Sequence, residues 1–326
     1  MNLKHAALLL GLLSVAPPSL AADTTLYLSP KGSDQADGLA PRTPLATLQR
    51  AMDIAYQTGK AEKAAHVRIL VEEGEYRGQA TRVGSPPAGT HVEVAAAESA
   101  RNKPVFDGAG KADTWFTLAG PTQAGATFTV RGLEIRNYRT AISLDGNRSK
   151  RDAYITGGTL RDLTLRDIGQ IAMPDKPLST AAIRLVNARR ITIADNTFIR
   201  IRNIQQCAPL HAIYLAHHAS DNRITGNTFD DLCGSPIRIR DASNRNQASG
   251  NTFKRAEYHS VFDEWYCDRS VNPKCTKASG ECPSWGNIYS DNKVEQSNPD
   301  AMARPTSVRV QRVPPGCVPD AAGKGG

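Results

Sequence analysis

A short motif returns at a fixed interval in the second half of the chain. Gly-Asn-Thr-Phe occupies residues 226–229 and again 250–253, 24 residues later, and a related Asp-Asn-Thr-Phe occupies 195–198. A short alternating segment follows ten residues after each of the last two asparagines, at 237–240 and 261–264. No unit of this size can bury its apolar face alone, so the units must stack. The repeat therefore predicts an all-β solenoid, a parallel β-helix with one rung per repeat.

Two columns of the repeat are predicted to be structural. The asparagines should stack in a turn between two sheets, with their amides hydrogen-bonded along the column: Asn196, Asn227 and Asn251. The phenylalanines should stack inside the solenoid: Phe198, Phe229 and Phe253. The interval from Asn196 to Asn227 is 31 residues, seven more than the period of 24, which predicts a loop at 203–209.

The amino-terminal part has a different pattern. Leu48, Ala51, Met52 and Ala55 recur at helical spacing, whereas residues 67–71 and 91–94 alternate as strands do. The apolar end of a solenoid has to be covered. We expect a helix at about 44–58 to be this cap.

The segments 26–34, 37–38 and 43–48 resemble the opening of many bacterial right-handed β-helix proteins of the pectate-lyase-like superfamily. The resemblance implies an extended strand, a Gly-Ser-Asp loop and a capping helix ahead of the rungs, and residues 73–76 are similar to the turn that follows. It covers about residues 24–295. This superfamily includes lyases, hydrolases, epimerases and adhesive tailspikes, so the resemblance implies the fold and not one activity.

The domain organisation follows from the two ends of the chain. A basic start and a short apolar stretch predict a signal peptide at 1–21, so the protein is expected to be secreted or periplasmic. The β-helix domain is assigned to 22–295, with an irregular cysteine-rich segment at 267–282, and 296–326 to a carboxy-terminal strand and flexible tail. No later apolar run is long enough for a membrane span. The protein is expected to be a monomer.

Six cysteines in an exported chain favour disulfides over a zinc site, because four of them lack any Cys-x-x-Cys pair. Cys207 and Cys233 should occupy the same loop edge on neighbouring rungs and pair with each other. The others should form two further bridges, and three pairings of the four are open: Cys267, Cys275, Cys282 and Cys317.

The net charge of +8, or +7 without Lys4 (39 − 32), favours an acidic partner. Outside the cytoplasm this indicates an acidic polysaccharide rather than nucleic acid. Arginines scattered over a solvated surface are the alternative explanation.

Alignment of the rungs predicts which side chains face outward. The inward column is Ile142, Ile183, Ile213, Ile237 and Val261. The first outward column is then Ser143, Arg184, Tyr214, Arg238 and Phe262, and the second is Asp145, Val186, Ala216, Arg240 and Glu264.

The outward columns and the adjacent histidines suit β-elimination from a uronate. An arginine would neutralise the sugar carboxylate, a base would remove the proton on C5, and an acid would protonate the leaving oxygen. Of the predicted catalytic residues, Arg238 and Arg240 suit the carboxylate, and His211 or Tyr214 suits the roles of base and acid. The predicted substrate-binding residues are Arg184, His217, Asp241 and Glu264.

Several alternatives remain open at this point. A glycoside hydrolase would need a carboxylic pair, for which Asp241, Asp263 and Glu264 are candidates. A C5 epimerase would use nearly the same groups as a lyase, and a non-catalytic glycan-binding solenoid is a third possibility. The cofactor is left open: calcium is an alternative, but it would need several carboxylates together, no clear cluster is visible, and no metal ligands are assigned.

Overall fold

The computed structural model describes residues 22–62, 65–255, 260–270, 272–276, 280–295, 304–305, 314 and 316–317. The predicted signal peptide, 1–21, and most of the predicted tail, 296–326, lie outside the described residues. The described chain runs repeatedly through three parallel sheets, which we call A, B and C. The predicted class, a right-handed parallel β-helix, is confirmed.

The strands of each sheet follow in stacking order. Sheet A contains Ala22–Leu28, Ala65–Val71, His91–Ala96, Thr127–Arg131, Gly158–Arg161, Thr192–Ala194, Arg223–Thr225, Gln247–Ser249 and Ile288–Ser290. Sheet B contains Glu75–Arg77, Val105–Asp107, Glu134–Arg136, Thr164–Ile168, Thr197–Ile201, Thr228–Leu232, Thr252–Phe253 and Lys293–Val294. Sheet C contains Thr81–Gly84, Thr114–Ala119, Thr140–Asp145, Ala181–Val186, His211–Ala216, Ile237–Arg240 and Phe262–Trp265.

Three short elements lie outside these sheets. Ile155–Thr156 and Ala188–Arg189 pair with each other, and a 3-10 turn spans Gln170–Ala172. The predicted loop at 203–209 lies between the strands Thr197–Ile201 and His211–Ala216.

The asparagine and phenylalanine columns stack as predicted. Asn227 Oδ1 accepts from the backbone and the side-chain amide of Asn196, both at 2.9 Å, while its Nδ2 donates to Ile193 O at 2.9 Å and Asn251 Oδ1 at 3.0 Å. The phenylalanine rings of the same turns are buried and stacked, with centroids 4.8 and 4.7 Å apart. The two columns fix the register of successive rungs in sheet B.

A second asparagine column stacks at the entry to sheet A. Asn222, Asn246 and Asn287 repeat the same pattern, with Asn222 Nδ2 donating to Asn246 Oδ1 at 2.9 Å. Asn222 and Asn246 are also 24 residues apart. The period could therefore have identified this column from the sequence, but it was missed.

Removing the central members of these columns is expected to destabilise the fold. Phe229→Ala should lower the free energy of unfolding by about 3–5 kcal/mol, because a buried aromatic ring is lost from a close-packed stack. Asn227→Ala should cost about 1–3 kcal/mol, because backbone groups of neighbouring rungs lose their partner. Thermal and urea unfolding measure both effects. Leu39→Ala is the control, since Leu39 is 59% exposed, and equal stability of Phe229→Ala and wild type would contradict the prediction.

The cap is the helix Leu48–Ala61, which begins and ends later than predicted. Its apolar face buries Leu48, Ala51, Met52 and Ala55. Asp34, from the Gly-Ser-Asp loop, accepts the backbone amides of Ala46 and Thr47 at 3.0 and 2.9 Å. The loop motif thus anchors the start of the capping helix.

The cysteines form three disulfides. Cys207 is bonded to Cys233, as predicted from their places on neighbouring rungs. Of the three open pairings of the other four, the structure has Cys267–Cys275 and Cys282–Cys317. The first closes a loop within the irregular segment, and the second joins that segment to Cys317.

Candidate functional site

One outward residue from each strand of sheet C lies in a single column. In stacking order, the column is Arg82, Thr117, Ser143, Arg184, Tyr214, Arg238 and Asp263. Neighbouring members are one strand spacing apart, about 4.8 Å. The predicted alignment of Ser143, Arg184, Tyr214 and Arg238 is confirmed.

The alignment was wrong at the last rung. Ile237 pairs with Phe262 rather than Val261, since this rung is one residue longer than the period. Phe262 is consequently buried at 1% exposure, and Asp263 takes the outward position beside Arg238.

Because of the same shift, the prediction that Glu264 binds substrate is wrong. Glu264 pairs with Ile239 and so lies on the side of its strand that Phe262 occupies. Its Oε1 accepts from Tyr289 Oη at 2.6 Å and from Asn287 Nδ2 at 3.0 Å. Glu264 therefore faces sheet A and not the outer face of sheet C.

Two depressions on the outer face of sheet C form one groove. The first, of about 480 Å³, is lined by Asp145, Gly146, Arg148, Thr180, Arg184, Val186, Tyr214, His217 and Arg240. The second, of about 350 Å³, lies toward the cap and is lined by Arg82, Asp113, Thr114, Thr117, Arg139, Thr140, Ser143, Asp145, Leu178, Ser179, Thr180 and Arg184. They share Asp145, Thr180 and Arg184 and are continuous. Of the predicted site residues, the groove brings together Arg184, Tyr214, His217 and Arg240.

His211 lies beneath the groove, at 2% exposure, and stacks against the ring of Tyr214 with centroids 5.8 Å apart. Its Nδ1 donates to Ser235 O at 2.8 Å. Burial, with a smaller contribution from the charge of Arg238, lowers the pKa of His211 to about 3. His211 is therefore neutral near pH 7, and its position supports the Tyr214 ring from below.

The buried imidazole of His211 makes a prediction about acid stability. The folded pKa is about 3 against 6.5 for an exposed histidine, so the unfolded chain binds the proton first. The stabilising effect of a neutral His211 is complete above pH 6.5 and is lost between pH 6.5 and 3, at up to about 1.4 kcal/mol per pH unit. His211→Asn keeps a donor for Ser235 but does not titrate. Urea unfolding across this range should show wild-type stability falling relative to the variant, and parallel curves would contradict the assignment.

His217 is held by a carboxylate on the next rung. Its Nδ1 lies 2.6 Å from Asp241 Oδ2, and because a carboxylate only accepts, Nδ1 donates; in the neutral form of this imidazole the lone pair is on Nε2. Burial acts to raise the pKa of Asp241, but hydrogen bonds from His217 and from the Cys282 amide outweigh it and lower that pKa. Asp241 therefore stays ionised and fixes the tautomer of His217.

Backbone geometry places this pair at the groove edge. His217 and His218 have φ values of 52° and 72°, and Asp241 and Ala242, in the turn above, have 51° and 52°. These are left-handed conformations, which recur at the turns of this solenoid, as at Asn187, Asp195 and Asp221. The His218 amide donates to Asp241 O at 3.0 Å, so the two turns stack on each other.

Arg240 is held between an acid and an aromatic ring. Its Nε lies 2.9 and 2.6 Å from the two carboxylate oxygens of Glu281, and its guanidinium lies 4.3 Å from the centre of the Trp265 ring. Nη1 donates to Tyr214 Oη at 3.3 Å. Burial acts to lower the pKa of Arg240, but Glu281 and Tyr214 outweigh it and raise that pKa. Sequence reasoning missed Glu281, since it lies in the cysteine-rich segment, outside the repeat.

Arg238 and Arg184 are also paired with acids. Arg238 forms an ion pair with Asp263, and the side chains of both are largely buried. Arg184 donates to Asp145 at 3.0 Å and to Ser143 Oγ at 3.0 Å. Sequence reasoning also missed Arg148, which lines the groove just beyond the strand that ends at Asp145, where the column alignment stopped.

Within the described part of the chain, one group of side chains has the composition of a metal site. Ligand atoms of His217, Asp241 and Glu281 lie within 4.8 Å of one another. Asp241 already accepts from His217, however, and both oxygens of Glu281 face Arg240. A divalent cation here would meet the positive charge of Arg240. The arrangement favours a hydrogen-bonded charge network.

Comparison with solved structures supports the fold. The crystal structure of pectate lyase Pel9A matches over 85% of this chain at 13% identity with a TM-score of 0.50, and this chain covers 63% of that protein. A GH136 lacto-N-biosidase from Eubacterium ramulus matches over 83% of this chain at 10% identity with a TM-score of 0.46, and this chain covers 56% of it. No curated protein sequence matches.

The family model described as "Periplasmic copper-binding protein (NosD)" matches residues 119–291. We tested whether the described residues fit copper. All six cysteines are in disulfides, so none supplies the thiolate that Cu(I) prefers. The cluster of His217, Asp241 and Glu281 is already paired internally and with Arg240. These residues do not fit a copper ion.

The three disulfides and the periplasmic description of the matching family are consistent with a location outside the cytoplasm. Among the described residues, no helix has the length and apolar character needed to cross a membrane. Because residues 119–291 are more than half of the 326-residue chain, the protein belongs to the NosD family.

Proposed function

We propose that this protein cleaves a uronate-containing polysaccharide by β-elimination in the groove on sheet C. One observation carries the proposal: His217, fixed by Asp241, lines the same depression as Tyr214, Arg184 and Arg240. A base, an acid and cations thus line one concave surface. The likeness in fold to a pectate lyase is a further reason to test uronates first.

His217 is the proposed base, a role that sequence reasoning gave to His211 or Tyr214. Its Nε2 takes the proton from C5 of the uronate, and the electron pair of that C–H bond forms the C4–C5 double bond. Asp241 accepts from Nδ1 throughout and stabilises the imidazolium that results. His211 does not line the groove, and it keeps a positioning role under Tyr214.

Tyr214 is the proposed acid. As the bond between C4 and the glycosidic oxygen breaks, the phenol transfers its proton to that oxygen and leaves a phenolate. Arg240 donates to Tyr214 Oη at 3.3 Å and stabilises the negative charge. The products are one fragment with an unsaturated uronate at its non-reducing end and one fragment with a new reducing end, and the proton moves from His217 back to Tyr214 through solvent.

The substrate carboxylate has to be neutralised before C5 becomes acidic. Arg238 is poorly suited to this role, contrary to the sequence-based prediction, because Asp263 already pairs with it. Arg148 and Arg184 line the depression, and Arg148 is exposed. We assign the carboxylate to Arg148, because Arg184 is itself paired with Asp145, and a planar guanidinium can bind a carboxylate through paired N–H donors.

A hydrolase is less well supported. It needs one protonated and one ionised carboxyl group facing each other across the sugar. Asp241 is kept ionised by His217, Asp263 is paired with Arg238, and Glu264 faces sheet A. None of the three is placed as a general acid in the groove.

The test is incubation of purified protein with polygalacturonate, alginate, glycosaminoglycans and a neutral glycan as control. Ultraviolet absorbance of an unsaturated uronate is the expected result with at least one acidic polymer. New reducing ends without that absorbance would indicate hydrolysis and overturn the proposal. Exchange of the C5 hydrogen without cleavage would indicate an epimerase, and binding without any reaction a non-catalytic solenoid.

A further inference from the structure

The depression nearer the cap has no role in the chemistry proposed above, although it continues the same groove. It is lined by Arg82, Asp113, Arg139 and Ser143, among others. Arg82 and Tyr214 belong to the same outward column and are separated by four strand steps. At about 4.8 Å per step, the distance along the groove is about 19 Å, which exceeds the length of a single sugar.

Most arginines along the groove have their charge compensated by an acid. Arg139 binds Asp113 through Nε at 2.5 Å and Nη2 at 3.1 Å. Arg184, Arg238 and Arg240 are likewise paired with Asp145, Asp263 and Glu281. These pairs build the groove wall but contribute little net charge to it.

Two groove arginines differ from the others. Within the ranges that the structure describes, neither Arg82 nor Arg148 has an acidic side chain within ion-pair distance, and both are exposed. Arg148 lies in the depression of Tyr214, whereas Arg82 lies in the depression toward the cap. The groove therefore presents one uncompensated guanidinium in each of its two halves.

Small residues occupy the outward positions next to Arg82. The outward positions beside it on the first strands of sheet C are Gly84 and Ala119, which pair in register. A Cβ atom built on Gly84 would have only Ala119 O nearby, at 3.9 Å. Neither position carries a long side chain beside the Arg82 guanidinium.

We propose that Arg82 forms a second subsite, which binds an acidic group of the same polysaccharide several sugars away from the bond at Tyr214. This proposal rests on the proposed function in one respect, the assumption that the ligand is an acidic glycan. It makes chain length a determinant of affinity: oligosaccharides that reach Arg82 bind more tightly than shorter ones, and the difference depends on that one guanidinium.

The experiment measures dissociation constants by calorimetry for size series of oligogalacturonates and oligomannuronates, from dimers upward, with the full chain carrying Tyr214→Phe to suppress turnover. Affinity should rise with length and then level off, with Arg82 contributing about tenfold. Arg82→Ala should remove that gain and leave the affinity for the shortest oligomers unchanged. Arg82→Lys should restore part of it, and added salt should reduce it.

Arg161→Ala is the matched control, since it removes the same charge from an exposed position on sheet A. The inference is overturned if Arg82→Ala weakens all lengths equally, if it leaves the length dependence intact, or if neither series binds. Cleavage by wild-type protein with an unchanged length profile in Arg82→Ala would refute this subsite and retain the lyase. Length-dependent binding through Arg82 without any cleavage would retain this subsite and refute the lyase.

Discussion

Replacing Tyr214 by Phe is expected to lower turnover of the acidic polysaccharide by about 100- to 10,000-fold, the usual contribution of a positioned acid or base. The change removes one hydroxyl, while the ring stacked on His211 is retained. Only the transition state uses the transferred proton, so substrate affinity should change little. Steady-state turnover and direct binding of the same oligosaccharide measure the two quantities separately.

Tyr27→Phe is the control for this experiment, because Tyr27 lies on the first strand of sheet A, far from the groove. It should retain wild-type turnover. Full turnover in Tyr214→Phe would remove Tyr214 from the mechanism. A loss of affinity with unchanged turnover would assign its hydroxyl to binding.

Replacing His217 by Gln should lower turnover by a similar factor, about 100- to 10,000-fold, because the base is removed. Asp241→Asn should lose a comparable amount although His217 is still present. The amide can donate to Nδ1, which would place the imidazole hydrogen on Nε2 and leave no lone pair for C5. The measurement is steady-state turnover of each variant. Circular dichroism and the melting temperature check that each variant is folded to the same extent as wild type.

His218→Gln is the neighbouring control, since His218 is not among the residues that line the groove. Its turnover should match wild type. If His217→Gln retained activity and His218→Gln lost it, the assignment of the base would be reversed. If Asp241→Asn were fully active, the hydrogen bond to His217 would have no part in the reaction.

The repeat made much of this architecture predictable. A period of 24 residues is enough to place Tyr214 beside Arg238, because strand register in a solenoid follows from the stacked asparagines and phenylalanines. The same period failed at Phe262, where one additional residue enters the rung. A shift of one residue exchanges the two faces of a strand. Asp263 therefore faces outward in the position predicted for its neighbours, and Glu264 faces the other side.

The electrostatic partners were harder to predict than the strands. Glu281 and Arg148 lie outside the alternating segments, and no period relates them to the groove. His211 and His217 flank the same strand, and the sequence does not tell which of them the turns expose. The structure distinguishes them: the first donates to a backbone carbonyl in the interior, and the second lines the groove.

The carboxy-terminal bridges include two backbone amides that hold carboxylates beside the groove. The amides of Cys282 and Cys267 donate to Asp241 Oδ1 at 3.1 Å and Glu281 Oε2 at 3.0 Å. Both donors belong to half-cystines, whereas the asparagine and phenylalanine columns need no sulfur bond. In a reducing compartment, where these bridges do not form, the rungs are expected to stack while the carboxylates that hold His217 and Arg240 lack these anchors.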